Sequence, residues 1–398
     1  MISVAEARNR ILDGLQPTAT ETISIAAAFG RVLAAPVVAR LDQPPADVSA
    51  MDGYALRSAE TGPWTVIGSA PAGHPFPGDV GAHQALRLFT GSIVPDGADT
   101  VALQEDADRE GDRLTLREPP IAGRHIRRRG GDFRRGDVLL APGTRLGARA
   151  IGLAAAANHP WLTVHRRPRI AILATGDEIA LPGDPVRPGG IVSSNAHSLA
   201  ALVAAGGGEP IVLPIAPDTT EAIAGTADQL SGIDMLVTTG GASVGEHDLV
   251  QRGLGERGFT PNFWKIAMRP GKPLMFGRLG ATPVLGLPGN PVSSFVCGIL
   301  FLLPALYRLL GRAESPLATT SARLATALPA NDHRADHLRS TLSVGPGGEL
   351  LVTPFPRQDS SHLRLLTEAH ALLLRAPHAP AIAAGSEVEI IRLDQGLF

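Results

Sequence analysis

Acidic side chains recur at the ends of apolar runs through the middle of the chain. Asp177 and Glu178 close IAILATGDE, Asp218 follows IVLPIAP, and Asp248 closes LVTTGGASVGEHD. Carboxylates gathered in one place repel an anion, whereas glycine turns that feed helix starts attract one through free backbone N–H groups. The chain carries both features. Gly240–Gly241 leads into a polar segment containing Ser243, and in PGNP (Pro288–Pro291) Asn290 can cap a helix whose first residue is Pro291, with Gly289 in the turn. A divalent cation reconciles the two features by bridging carboxylates to a phosphate. Lys265, Arg269 and Lys272 in FWKIAMRPGK add positive charge for a ligand with several anionic groups. The residue types therefore predict a Mg²⁺-dependent site for a nucleotide or another phosphorylated ligand, with Thr175, Gly240, Gly241, Ser243 and Pro288–Pro291 around it.

Plainer roles compete at each position. Asp218 opens D-T-T-E, a capping box with Glu221, and Asp248 can simply favour a helix start. Glu178 can be a solvated turn residue and His247 a surface one. Lys265 and Arg269 alternate as one solvated face of a strand would. Arg127–Arg129 read as an exposed basic face, with Asp132 in a glycine turn beside them, and Asp52 in MDGY reads as a hairpin aspartate.

The elements that must position these residues follow from periodicity. Residues 168–313 alternate strands with helices, the pattern of a doubly wound α/β domain, in which ligands bind beyond the carboxyl edge of the sheet. Residues 41–135 carry short alternating runs (Thr65–Ser69, Leu86–Thr90, Thr100–Gln104, Leu114–Glu118) parted by Gly, Pro and Asp, which predicts an inserted β domain. Within it, the Pro-containing stretch from Leu41 through MDGY reads as loop. Residues 1–40 and 136–167 flank the insertion as a small helical linking domain. It opens with a capping box from Ser3 to Glu6, and helices are expected at Ser3–Leu15, Ser24–Phe29 and Gly147–Ala157, with a strand at Trp161–His165. Residues 314–398 lose the helical period and alternate instead, predicting a C-terminal β domain resembling a partial barrel.

Composition narrows the function classes. A formal net charge of -2 across 398 residues offers no bulk attraction for nucleic acid or an anionic membrane. The apolar run Phe295–Tyr307 contains Pro304 and reads as too short to span a bilayer, and the charged N-terminus lacks a secretory apolar core. The single cysteine, Cys297, rules out an internal disulfide and is expected as a buried packing residue in a cytoplasmic protein.

SAMDGYA (Ser49–Ala55), FTGSIVPDGADTVALQED (Phe89–Asp106), HIRRRGGDF (His125–Phe133), TGDE, TTGGASVGEHD, FWKIAMRPGKP and LPGNPVSS occur in that order. Together they resemble the successive motifs of the molybdopterin molybdenumtransferases, the MoeA type that also forms the E domain of gephyrin. The resemblance spans nearly the whole chain. It implies Mg²⁺-dependent insertion of molybdate into adenylylated molybdopterin with release of AMP, the last step of molybdenum cofactor synthesis. It also implies a homodimer whose active site joins the α/β domain of one subunit to the inserted domain of the other. On that likeness Asp52 reaches across the dimer, Thr90 and Asp132 line the same cleft, and Glu178, Asp218 and Asp248 form the acidic cation-binding and catalytic set. Lys265, Arg269 and Lys272 hold molybdate and phosphate, and Pro288 and Pro291 shape the loop beneath. Transient contact with molybdopterin adenylyltransferase and with molybdoenzymes is part of the same expectation.

The chain departs from the pattern at Ala46 and Val48, where an aromatic and an amide are expected, and at Arg269, where Lys is usual. Two alternatives remain alongside. The adenylyltransferase shares the α/β domain but needs neither flanking β domain, and a carrier or scaffold would bind molybdopterin without turnover.

Overall fold

The computed structural model describes residues 1–240 and 249–394; Gly241, Ser243, His247 and Asp248 lie outside the described residues. The strand–helix region forms a six-stranded sheet in the spatial order Glu209–Val212, Arg169–Ala174, Met235–Thr239, Thr282–Leu287, Met275–Leu279, Phe259–Trp264. The first four strands are parallel and the last two antiparallel. Met235–Thr239 is buried throughout and two of its parallel neighbours nearly so, which is why they read as unbroken apolar runs. Ile172, Val237 and Leu285 face the helices Asn195–Gly206 and Pro291–Cys297, whereas Leu173, Leu236 and Val284 face Thr220–Gly225 and Leu249–Gly255. Parallel register sets Ala174 beside Thr239 and Thr239 beside Leu287, so the carboxyl ends of these strands are level.

The apolar run judged too short for a bilayer belongs to a longer helix. Pro291–Leu309 is continuous over 19 residues and meets a membrane span's length and composition, yet 89% of its apolar window is buried inside the protein. Pro304 is accommodated in the first turn of the segment Leu303–Leu309, directly after the π-helical turn Gly298–Leu302, whose closing bond runs from the Leu303 N–H to the Gly298 carbonyl. Cys297 lies in this helix, fully buried, and burial pushes its thiol above the ordinary range, in keeping with a packing role.

The flanking regions correct two readings. MDGY is not a hairpin: Gly53–Leu56 is a buried strand between Gln84–Leu88 and Thr100–Leu103 in a second six-stranded sheet. Four consecutive buried residues show no alternation, so the prolines upstream masked it. A side chain at Gly53 would strike the carbonyl of Ala102. The expected helix at Ser24–Phe29 is instead a strand, Thr20–Ser24, followed by the 3₁₀ turn Ile25–Ala27, and the strand pairs with Trp161–His165. The N-terminal helix does form over Val4–Asp13, with the Ser3 hydroxyl accepting from the Glu6 N–H at 3.1 Å, and it buries Ala7 and Ile11 against the α/β core.

Beyond Leu309 the strands Ala335–Val344, Leu350–Pro354, Thr320–Leu324, Glu387–Arg392 and Ala371–Arg375 neighbour one another in that order. Ala371–Arg375 pairs back with Ala335–Val344, so the barrel is closed rather than partial. Met268–Arg269, from the arm between the last α/β strands, adds to the barrel beside Ala335 and Asp336. This arm turns at Gly271, whose φ of 109° is left-handed and whose Cβ, were there one, would overlap the Cys297 sulfur. Gly271→Ala is expected to destabilise the protein by about 1–3 kcal/mol in urea unfolding; an unchanged midpoint would contradict this packing.

Candidate active site

A cleft of about 640 Å³ opens beyond the carboxyl edge of the parallel sheet. Its floor is Ala174–Thr175, Thr239–Gly240 and Pro288–Pro291, and one side is the start of helix Asn195–Gly206 with Ser193 and Ser194. Gly240 has a φ of 92° and packs so tightly that a Cβ would meet the Thr175 carbonyl. A Cβ on Gly289 would lie 3.5 Å from the Gly240 Cα, so the two glycine turns abut. Asn195 ties this corner together, its amide donating to the Thr239 hydroxyl at 2.9 Å and the Gly289 carbonyl at 2.7 Å. Asn290 stands at the helix start without capping it, and its amide donates instead to the Ser360 hydroxyl at 3.0 Å. Thr175 keeps its hydroxyl buried with no hydrogen-bond partner among the described residues.

Of the described acidic residues Glu178 alone lines the cleft, and Asp177 and Asp218 are its neighbours. The Glu178 carboxylate is folded back over Gly176. The Asp218 backbone N–H donates to the Asp177 carboxylate at 3.1 Å. Thr219, not Asp218, caps the following helix, its hydroxyl accepting from the Ala222 N–H, so the aspartate side chain is left for another role. Partial desolvation pushes the Asp218 carboxyl above the usual range. A backbone hydrogen bond at Asp177 opposes that rise, and the neighbouring Glu178 and Asp177 charges reinforce it. No salt bridge neutralises Asp177, Glu178 or Asp218 among the described residues.

The basic expectation needs revision at Arg269. Its Nε donates to Asp336 at 2.9 Å, and a second nitrogen lies 3.6 Å from Asp332, so its fork is engaged by two carboxylates of the barrel rather than open to an oxyanion. Those carboxylates also hold its basicity up. Lys265 lies at a φ of 76° with its ammonium 5.5 Å from the Trp264 ring centroid, not on an alternating strand face. Lys272 is exposed beside Pro273, which lines the cleft.

Asp52 and Thr90 form a separate cluster on the inserted sheet, outside this cleft. The Thr90 N–H and hydroxyl both donate to the Asp52 carboxylate, at 2.8 and 2.9 Å, and hold it below the usual carboxylate range. Arg87, stacked between Tyr54 and Phe89, adds a weaker pull in the same direction. Asp132 sits in an exposed turn fixed by its own N–H to the Gln43 carbonyl at 2.9 Å. Sequence reasoning missed Asn195 as a site residue. It also missed Ser360 and Ser361, which no local pattern ties to a sheet some 70 residues upstream.

An open, mostly parallel sheet with glycine turns and unpaired carboxylates at its carboxyl edge defines a doubly wound α/β protein. Residues 2–158 match the MoeA N-terminal region (domain I and II), 171–308 a probable molybdopterin binding domain, and 321–393 the MoeA C-terminal region (domain IV). The chain is 34% identical to a molybdopterin molybdenumtransferase of Nostoc sp., over 94% of this chain and 89% of that one. It is 31% identical to the Haemophilus influenzae protein of the same name, covering 98% of each. A crystal structure of the MoeA protein from Pyrococcus horikosii superposes with a TM-score of 0.85 at 28% identity, over 98% of this chain and 99% of that one. The chain belongs to the MoeA-type molybdopterin molybdenumtransferase family.

The Asp218 environment gives a signed expectation. Its folded-state carboxyl is harder to ionise than in the unfolded chain, so at neutral pH the charge opposes folding, and the penalty fades as pH falls through the raised value. Asp218→Asn should therefore raise the melting temperature at pH 7 by roughly 1–2 °C, with the gain shrinking toward acid pH in calorimetry. A loss of stability would show that the aspartate is structural.

Proposed function

We propose that the chain is a molybdopterin molybdenumtransferase, inserting molybdate into adenylylated molybdopterin and releasing AMP. What carries this reading is a cleft lined by glycine turns, a helix start and the Glu178 carboxylate, with Asp177 and Asp218 beside it, in a chain that matches all three family regions. The adenylyltransferase reading is disfavoured because both flanking β regions are present and match the MoeA N-terminal and C-terminal families.

Asp177, Glu178 and Asp218 offer oxygen ligands of the kind Mg²⁺ takes. Among the described residues no three His, Cys, Asp or Glu side chains gather closely enough to hold a metal ion by themselves. Mg²⁺ keeps waters and substrate oxygens in its shell, binding one or two protein carboxylates, so the uncompensated negative charge around Asp218 fits such an ion. Bound there, it would neutralise charge on the substrate phosphates. The chain's own groups do the remaining positioning. The free N–H groups at the start of helix Asn195–Gly206 face the phosphate, and the abutting turns at Gly240 and Gly289 let it come close. Asn195 fixes those turns, and the Thr175 hydroxyl is free to donate to a ligand oxygen. Lys265 and Lys272 supply cations for molybdate, while Arg269 serves the junction with the barrel. Asp52, kept ionised by the two Thr90 hydrogen bonds, acts from the second subunit of a homodimer in a cytoplasmic setting.

Incubation with adenylylated molybdopterin, Mg²⁺ and molybdate should release AMP only when molybdate is present. Binding of molybdopterin without molybdate-dependent AMP release would make the protein a carrier or scaffold. Loss of partners that merely orient metal ligands costs about 10–100-fold; Glu178→Gln, acting on a direct ligand, should lower turnover by at least the upper end of that range.

A further inference from the structure

The cleft has a wall from outside the α/β domain. Ser361, on the barrel loop between Phe355 and His362, lines it. Ser360 clasps the opposite lip: its hydroxyl accepts from Asn290, and its carbonyl accepts the Val292 N–H at 3.1 Å.

Behind this loop lies Arg339, 1% exposed and the largest fully buried side chain of the described protein. A buried guanidinium is costly unless its donors are satisfied, and no salt bridge is formed by Arg339 among the described residues. Its donors go instead to the loop, to the Asp359 carbonyl at 2.9 Å and the His362 carbonyl at 3.4 Å, on either side of Ser360 and Ser361. Its backbone grips the same segment. The Arg339 N–H donates to the Gln358 side chain at 3.0 Å, and its carbonyl accepts from the Gln358 amide at 2.9 Å and the Phe355 N–H at 3.0 Å. Within the loop, the Ser361 hydroxyl donates to the Asp359 carboxylate at 2.7 Å. With its proton so directed, the Ser361 oxygen retains capacity as an acceptor.

We propose that Arg339 is a positioning residue that holds Ser361 against the cleft, where the serine oxygen accepts a hydrogen bond from an N–H of the substrate's heterocycle. This rests on the transferase reading. The donor is either the pterin or the adenine, since both carry N–H groups. A planar guanidinium suits the task because its fork reaches two carbonyls at once and fixes the span between them, which a lysine cannot do.

The test is steady-state AMP release by the full chain and its variants, with melting temperatures measured in parallel. Removing an acceptor from a desolvated donor costs about 1–3 kcal/mol, or roughly 5–150-fold. Ser361→Ala should therefore raise KM for adenylylated molybdopterin about tenfold while kcat stays within about twofold. Arg339→Gln should raise KM similarly, Arg339→Lys should recover part of the loss, and Arg339→Gln added to Ser361→Ala should raise it little further. Should Arg339→Gln fail to fold, Gln358→Ala loosens the same loop and should show the same non-additivity. Weaker AMP binding by Ser361→Ala would identify adenine as the donor, and weaker binding of molybdopterin alone would identify the pterin. An unchanged KM in Ser361→Ala, or independent, additive effects of the two substitutions, would overturn the proposal. Absence of AMP release from the unsubstituted protein would instead overturn the transferase reading itself.

Discussion

Like-charged carboxylates repel, and a fold that gathers Asp177, Glu178 and Asp218 without a basic partner must hold them by force of backbone geometry. That force is the parallel register. Once Arg169–Ala174, Glu209–Val212 and Met235–Thr239 are hydrogen-bonded side by side, their continuations have to emerge from the same edge. The same register brings the Gly240 and Gly289 turns into contact and lets Asn195 bond to both strand ends. The negative charge and the anion-attracting helix start are therefore neighbours by construction.

The barrel is part of this arrangement rather than an appendage. Met268–Arg269 leaves the α/β sheet to pair with Ala335–Val344, and Arg269 is bound there by Asp336 and Asp332. From the same long strand Arg339 braces the loop that returns Ser360 and Ser361 to the sheet's edge. One strand thus anchors the basic arm on one side of the cleft and the serine wall on the other. A change in the seating of the barrel would move both.

Much of this was legible before the structure. Buried parallel strands leave unbroken apolar runs, and the turns after them carry glycine and acid, so the edge of the sheet could be read from Thr175 to Pro291. The Ser3–Glu6 cap was equally plain, being local. What escaped was settled by distant partners or by the absence of a period. Gly53–Leu56 is short and wholly buried, and nothing in GYAL alternates. The polar stretch TETIS became a strand because Trp161–His165 lies beside it. Arg269 looked free for an anion until Asp336, 67 residues on, was found against it. Ser361 carries no signal at all, since its place in the cleft comes from Arg339 and Asn290 acting through the loop.

The most direct test is anomalous diffraction from crystals of this protein soaked with Mn²⁺, as a stand-in for Mg²⁺, together with AMP. The account predicts manganese within about 2.5 Å of oxygens from Glu178 or Asp218, with the AMP phosphate beside Gly240 and the start of helix Asn195–Gly206. Manganese bound away from these carboxylates, or a phosphate seated on another face of the sheet, would contradict it.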